Sequence, residues 1–315
     1  MLVRVLKSNR WIAVLVILLC IPLLTATSQG SRAALLEPET PNDTFVVFVP
    51  NVYAGLPAPP PPSNAIIIDH NSIALFEQIP DNYIQAAANI SMLFRHASVG
   101  YNISYGLDCL MNKVQPRPPG CYGDYDPKYN RDNWIFEFHQ PPPSQNPGWW
   151  EKVDLFIERV DNLSPSENYR VVGYKHGYVD APEPPGPHRI DWYFWESDDS
   201  YPGIAELEAL EARHPDKRFM YWTMSIHAFA TPVSASFNQQ MRNYARTHNK
   251  ILLDIADITS HRADGTQCLA SNGNEAPCPE YSRDGGHLVE EGTYRMAKAV
   301  WVLMARLAGW NPPLR

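Results

Sequence analysis

From residue 65 onward the chain alternates short runs rich in Val, Ile, Phe, Tyr and Met with longer stretches whose apolar residues recur at helical spacing. The runs at 91–94, 170–174, 218–224 and 251–255 lie next to turn or loop residues and predict strands. Helices are predicted over 81–89, 102–112, 149–160, 203–212, 234–247 and 290–307. The last is the clearest: Tyr294, Ala297, Trp301, Met304 and Ala308 form one stripe, which Val300, Leu303 and Leu307 widen. Strands separated by helices require crossover connections, and these place helices on both faces of a parallel sheet. The predicted fold is α/β, a three-layer α/β/α sandwich around a mostly parallel central sheet, formed by residues 65–315 as one domain.

The N-terminal pattern is different. Arg4, Lys7 and Arg10 precede an apolar run from Trp11 to Leu24, and small residues follow around Ala26 and Ser28. This predicts a signal peptide over 1–28, with an uncleaved anchor as the alternative; the run is shorter than the roughly 20 residues that span a bilayer. Residues 29–64 end in LPAPPPPSN, a proline run that neither sheet nor helix accommodates, and predict an extended linker. Residues 1–34 hold four basic residues and no acidic ones, so their removal moves the formal charge from −8 to −12. So acidic a chain is a poor partner for nucleic acid or an anionic membrane surface. The expected location is secreted or extracytoplasmic, with the membrane reached only through a retained N-terminal segment.

Beyond Cys20 the cysteines fall into two close pairs, Cys109 with Cys121 and Cys268 with Cys278. In an exported chain an even count reads as disulfides, most simply within each pair, and no C-x-x-C suggests a metal or redox site. Two segments, 113–148 and 181–202, are rich in proline and aromatic residues and are expected as long ordered loops, suited to walling a pocket. Asp124, Asp126, Asn130 and Asp132 lack the glycine and terminal glutamate of a calcium loop and read as a solvated polar loop. Trp149, Trp150, Trp192 and Trp195 read as core or lid packing, with stacking on sugar rings as the alternative.

The candidate chemistry begins at FRHASVGYNI, where Ser98 follows a predicted strand. Ligands collect at the carboxyl ends of parallel strands, but a serine hydroxyl is a poor nucleophile without a base, and Ser98 is equally placed to cap the next helix. The base and its partner are supplied by YSRDGGHLVEEG: Asp284 and His287 stand three apart on a Gly-Gly loop before the final helix. There Asp284 is placed to hold one ring nitrogen while the other faces Ser98. Position 96 is histidine, so the first glycine of G-x-S-x-G is missing and a strained nucleophile elbow is not expected.

The early serine, the late D-x-x-H and their order resemble the SGNH/GDSL hydrolases, most closely a bacterial branch with a His-x-Ser-x-Gly block, here HASVG. IPDNYIQAAANISMLFRHASVGYNI, FNQQMRNYARTHNKILLDIADI and DGGHLVEEGTYRMAKAVWVLMARLAGW share the resemblance, which covers most of 65–310. It implies an SGNH hydrolase-like, flavodoxin-like topology, a triad of Ser98, Asp284 and His287, and no metal or organic cofactor. It also implies that a glycine and the asparagine of a G-x-N-D block add oxyanion donors to the backbone N–H of Ser98. In VVGYKHGYVD, Gly177 and Asp180 match that block but Val179 replaces the asparagine; Gly148 is the candidate for the other glycine. Losing such a donor removes about 2.7–4 kcal/mol of transition-state stabilisation, unless His176 or Asn102 substitutes. His96 is a candidate pocket or supporting group on the side of the strand that carries Ser98, with a buried structural histidine as the equal alternative.

The expected function is an exported serine esterase acting on a small-molecule or glycan ester, carbohydrate O-acetyl groups first. The alternatives are a non-catalytic glycan-binding or cell-surface protein on the same scaffold, and an acyltransferase using the same triad.

Overall fold

A computed structural model describes residues 64–312 except 114, 116–120, 122, 141–144, 183–185 and 197–199. The predicted signal peptide and linker lie outside the described residues. Among these residues no helix is long and apolar enough to cross a membrane.

Six strands form a single parallel sheet: β1 (Ile66–Ile68), β2 (Met92–His96), β3 (Trp134–Phe138), β4 (Val171–Tyr174), β5 (Arg218–Trp222) and β6 (Ile251–Leu253), in the order β1-β6-β5-β4-β2-β3. Side chains alternate across it as the pleat requires. Met92, Phe94, Val171, Met220, Trp222 and Leu253 enter one core, against α1 (Asp81–Ala88), α2 (Val99–Leu110) and α8 (Glu290–Leu307). Leu93, Val172, Phe219, Tyr221 and Leu252 enter the other, against α3 (Trp149–Asp161), α4 (Ile190–Tyr193), α5 (Ile204–Arg213) and α6 (Pro232–Thr247). The predicted three-layer sandwich is therefore the fold observed.

The final helix occupies the predicted 290–307, and it is buried on nearly every side because α1, α2 and the 3₁₀ segment His70–Gln78 all pack on it. Two strands escaped the pattern. β1 is three residues long and directly follows the proline run. β3 lies inside 113–148, read as loop throughout; as an edge strand it buries Trp134 but leaves Ile135 39% exposed, which blurs its alternation. Ser98 thus follows the second strand rather than the first. The strand predicted to reach 255 stops at Leu253, because the Asp254 side chain accepts the Asp257 N–H and starts α7 (Ile255–Ser260).

The connections position the site. From β2 the chain moves outward to β3, then crosses back to pair β4 with the other side of β2. This reversal opens a crevice beyond the carboxyl ends of β2 and β4, where open α/β sheets bind ligands. Ser98 lies past the end of β2, and residues 175–180 lie past the end of β4.

Candidate active site

Ser98 occupies the N-cap position of α2, yet its side chain makes no capping hydrogen bond. Its hydroxyl instead lies 2.6 Å from Nε2 of His287. Nδ1 of the same ring is 2.6 Å from Oδ2 of Asp284. The other carboxylate oxygen of Asp284 accepts the Gly286 and His287 N–H groups at 2.9 and 2.7 Å. Desolvation disfavours the charged carboxylate, but these N–H groups and the imidazole outweigh it and hold Asp284 well below the usual carboxylate range. The three predicted residues form one continuous chain, and His287 and Asp284 are open to solvent.

The backbone at Ser98 corrects the expectation of an unstrained turn. Its φ of 52° and ψ of −111° put a non-glycine residue in the left-handed half of the map, as in a nucleophile elbow. The missing first glycine has a local explanation. A Cβ on Gly100 would lie 2.4 Å from Cβ and 2.5 Å from Cγ of His96, so the second glycine makes room for the residue where the first would stand. His96 is the buried histidine of the two readings. Its ring is buried against Phe138, burial lowers its pKa to about 3, and it remains neutral inside the protein.

Two of the expected oxyanion donors are occupied. The Gly177 N–H donates to Oδ2 of Asp180 at 2.7 Å, and the Gly148 N–H to Oε2 of Glu151 at 2.7 Å. His176 is buried, with Nε2 3.2 Å from the Tyr174 hydroxyl and Nδ1 3.7 Å from Asp180, so it does not replace the asparagine. Asn102 has a supporting place: its Oδ1 accepts the Leu288 N–H at 3.3 Å and ties the histidine loop to α2. By contrast, the Ser98 N–H has no hydrogen-bond partner among the described residues. It points from the N-terminus of a twelve-residue helix, whose dipole favours negative charge.

A buried charge pair underlies the crevice. Lys152 Nζ donates to both oxygens of Asp180, at 2.7 and 2.6 Å. Burial alone would raise the Asp180 pKa, but Lys152 reverses the sign and keeps it ionised. Lys175, fully buried beside this pair, is pushed down to about 7 by burial, with the Lys152 charge adding to the effect.

One further residue touches the triad, and a second supports it from behind. Tyr178 presents its ring edge-on to His287, with centroids 5.9 Å apart, and its hydroxyl lies 3.5 Å from Nδ1. Behind it, His227 from the loop after β5 packs at 5.0 Å. The Gly-Gly loop fits around both: a Cβ on Gly286 would lie 2.5 Å from the Tyr178 ring, and Gly285, at φ 84°, lies against Ala228 and His227. Tyr178 stands inside the GYVD block, and His227 follows the end of a strand; those positions are the signals that the sequence carries for them.

Both cysteine pairs are bonded as expected, with Cα atoms 5.2 Å apart in each. They accord with maturation in an oxidising compartment. In the 124–132 loop, Asp126 accepts the Lys128 N–H and Asp132 pairs with Lys113.

Neither a family model nor a curated protein matches the sequence. Among solved structures, the chain is similar to a Bacteroides fragilis protein provisionally described as an acylhydrolase, at 14% identity and a TM-score of 0.42 over 72% of this chain and 95% of that one. It is also similar to a Desulfitobacterium hafniense protein provisionally assigned to a G-D-S-L lipolytic family, at 13% identity and a TM-score of 0.38 over 68% and 99%.

Proposed function

We propose that the protein is a serine esterase of SGNH type that works through an acyl-enzyme. The observation that carries this reading is the unbroken chain from the strained Ser98 through His287 to Asp284 at the switch point of the sheet. Nε2 of His287 takes the hydroxyl proton as Oγ bonds to the ester carbonyl carbon. The carbonyl oxygen gains the charge and is received by the Ser98 N–H at the helix terminus. When the intermediate collapses, the carbon–oxygen bond to the alcohol breaks and His287 returns the proton to that leaving oxygen. Water, deprotonated by the same nitrogen, then releases the acid and restores the serine. Asp284 stays ionised throughout and fixes which ring nitrogen faces the serine.

The HASVG block, the Ser-Asp-His order and the three-layer fold all agree with the SGNH/GDSL resemblance. The asparagine is not replaced at Val179, but the backbone donor of Ser98 at a helix terminus remains unengaged, so part of the oxyanion stabilisation is retained.

Covalent labelling with a fluorophosphonate tests it. The purified chain is expected to label at Ser98, and Ser98→Ala to lose the label. No labelling, or equal labelling of Ser98→Ala, overturns the reading and leaves a binding scaffold. Product analysis with and without an added alcohol then separates hydrolysis from acyl transfer.

A further inference from the structure

A cavity of about 440 Å³ lies between the 3₁₀ segment His70–Gln78, the first half of α8 and the turn at 262–265. No residue of the triad lines it. We infer that it is a binding site for the carboxylate of a small organic acid, received by the guanidinium of Arg295 with its carbon chain against Ile73 and Ala74. The inference does not depend on the esterase reading.

Three observations lead to it. The first is a charge without a counter-ion. Arg295 is 9% exposed, and its Nε donates to the Ile258 carbonyl at 2.9 Å. Its two terminal nitrogens make no hydrogen bond or ion pair among the described residues, and Asp257 and Glu291 act on it only through space. One face of the guanidinium lies over the Tyr281 ring, 5.4 Å from its centroid. The terminal nitrogens are not sealed into the core but open on the cavity. Arginine does not shed its proton, so a desolvated guanidinium gains from an anion brought against it.

The second is the shape of what remains to be satisfied. With Nε engaged, the end-on pair of N–H groups is left, and two parallel donors match the two oxygens of one carboxylate. The other cations of the wall are already matched: Lys298 lies 2.9 Å from Glu77, and Arg262 lies 2.8 Å from Glu280. Glu77 and Asp264, both in the wall, oppose a second negative charge, which selects a carboxylate over a phosphate dianion.

The third is a preformed wall. The Asp69 side chain caps the 3₁₀ segment, accepting the Ser72 N–H at 3.0 Å, and that segment packs on α8. The turn is closed by the Arg262 N–H on the Thr266 carbonyl at 2.9 Å, with Gly265 at φ 85°. A site that is already ordered loses little freedom on binding. One water occupies roughly 30 Å³ in the liquid, so the cavity has room for an acid of several carbons.

The test is calorimetry and saturation-transfer NMR with sodium butyrate, on the full chain at constant ionic strength. Butyrate is expected to bind, inorganic phosphate to bind more weakly, and neutral butyramide not to bind. Arg295→Lys keeps the charge but loses the fork, and should weaken butyrate binding about tenfold. Ala74→Glu adds a carboxylate at an exposed position of the wall and should weaken it by a similar factor, with the unfolding midpoint of the parent chain. Neither position contacts the triad among the described residues, so the two variants report on this cavity and not on acid held at Ser98. No binding of butyrate by the parent chain, equal binding of butyramide, tighter binding of phosphate, or undiminished binding in either variant overturns the site.

Discussion

At Ser98 the backbone and the side chain have conflicting interests. A φ of 52° is costly for any residue with a Cβ, on the order of 1–3 kcal/mol, and the strain persists because β2, α2 and the His287 loop fix the turn from three sides. Ser98→Gly is therefore expected to raise the unfolding midpoint by several degrees while abolishing labelling and turnover; thermal unfolding beside activity checks both halves. Tyr178 presents a separable case. Tyr178→Phe keeps the ring against His287 and removes only the hydroxyl, so its kcat should fall about tenfold or less. Tyr178→Ala frees the imidazole, and a misplaced base should lower kcat about 100-fold. Equal losses in the two variants would show that the hydroxyl, not the ring, is what matters. At this scale the sequence was partly legible. HASVG marked the serine, but the reason for Gly100 is a contact with His96, which no spacing rule announces.

Among the elements, the histidine loop is the most dependent on support. It is held at one end by the Val289 N–H donating to the Tyr281 carbonyl, and it continues from the segment that the Cys268–Cys278 bridge closes. A closed loop of this length is worth about 2.5–3 kcal/mol through restriction of the unfolded chain. Cys268→Ser with Cys278→Ser is expected to lose that much in urea denaturation and to slow labelling at Ser98. Unchanged labelling in a destabilised variant would separate the loop's geometry from its stability. The strongly amphipathic helices and the buried strands were readable because each has a uniform demand on its side chains. β3 was not, since a half-exposed edge strand among prolines carries no consistent alternation. The oxyanion glycines failed for a similar reason: sequence gives a glycine's position but not whether a nearby carboxylate has already taken its N–H.

Across the whole molecule, the crevice at the switch point sits over a buried polar layer that makes stability depend on pH. Lys175 ionises near 10.5 when unfolded, but burial brings it down to about 7 in the fold. Between these values the unfolded chain holds a proton that the folded chain lacks, so raising the pH across that window stabilises the fold; below about 7 both states are protonated and the gain is absent. Lys175→Met should remove a rise on the order of 1–3 kcal/mol between pH 7 and 9.5, measured as the difference in urea midpoints between the variant and the parent chain. A parallel pH profile in both proteins would show that the buried amine is not the group responsible.

The sequence by itself determined the layered α/β plan, the two disulfides and the three residues of the candidate triad, because periodicity, cysteine spacing and a D-x-x-H before a helix are local patterns. Only the tertiary structure decided that Ser98 faces a histidine 189 residues away rather than the free N–H groups of its own helix. It also decided that Gly177 and Gly148 are engaged elsewhere and that Tyr178 borders the base. Those outcomes depend on which groups meet across the crevice, and chain order does not encode a distance between segments that become neighbours only when the sheet reverses direction.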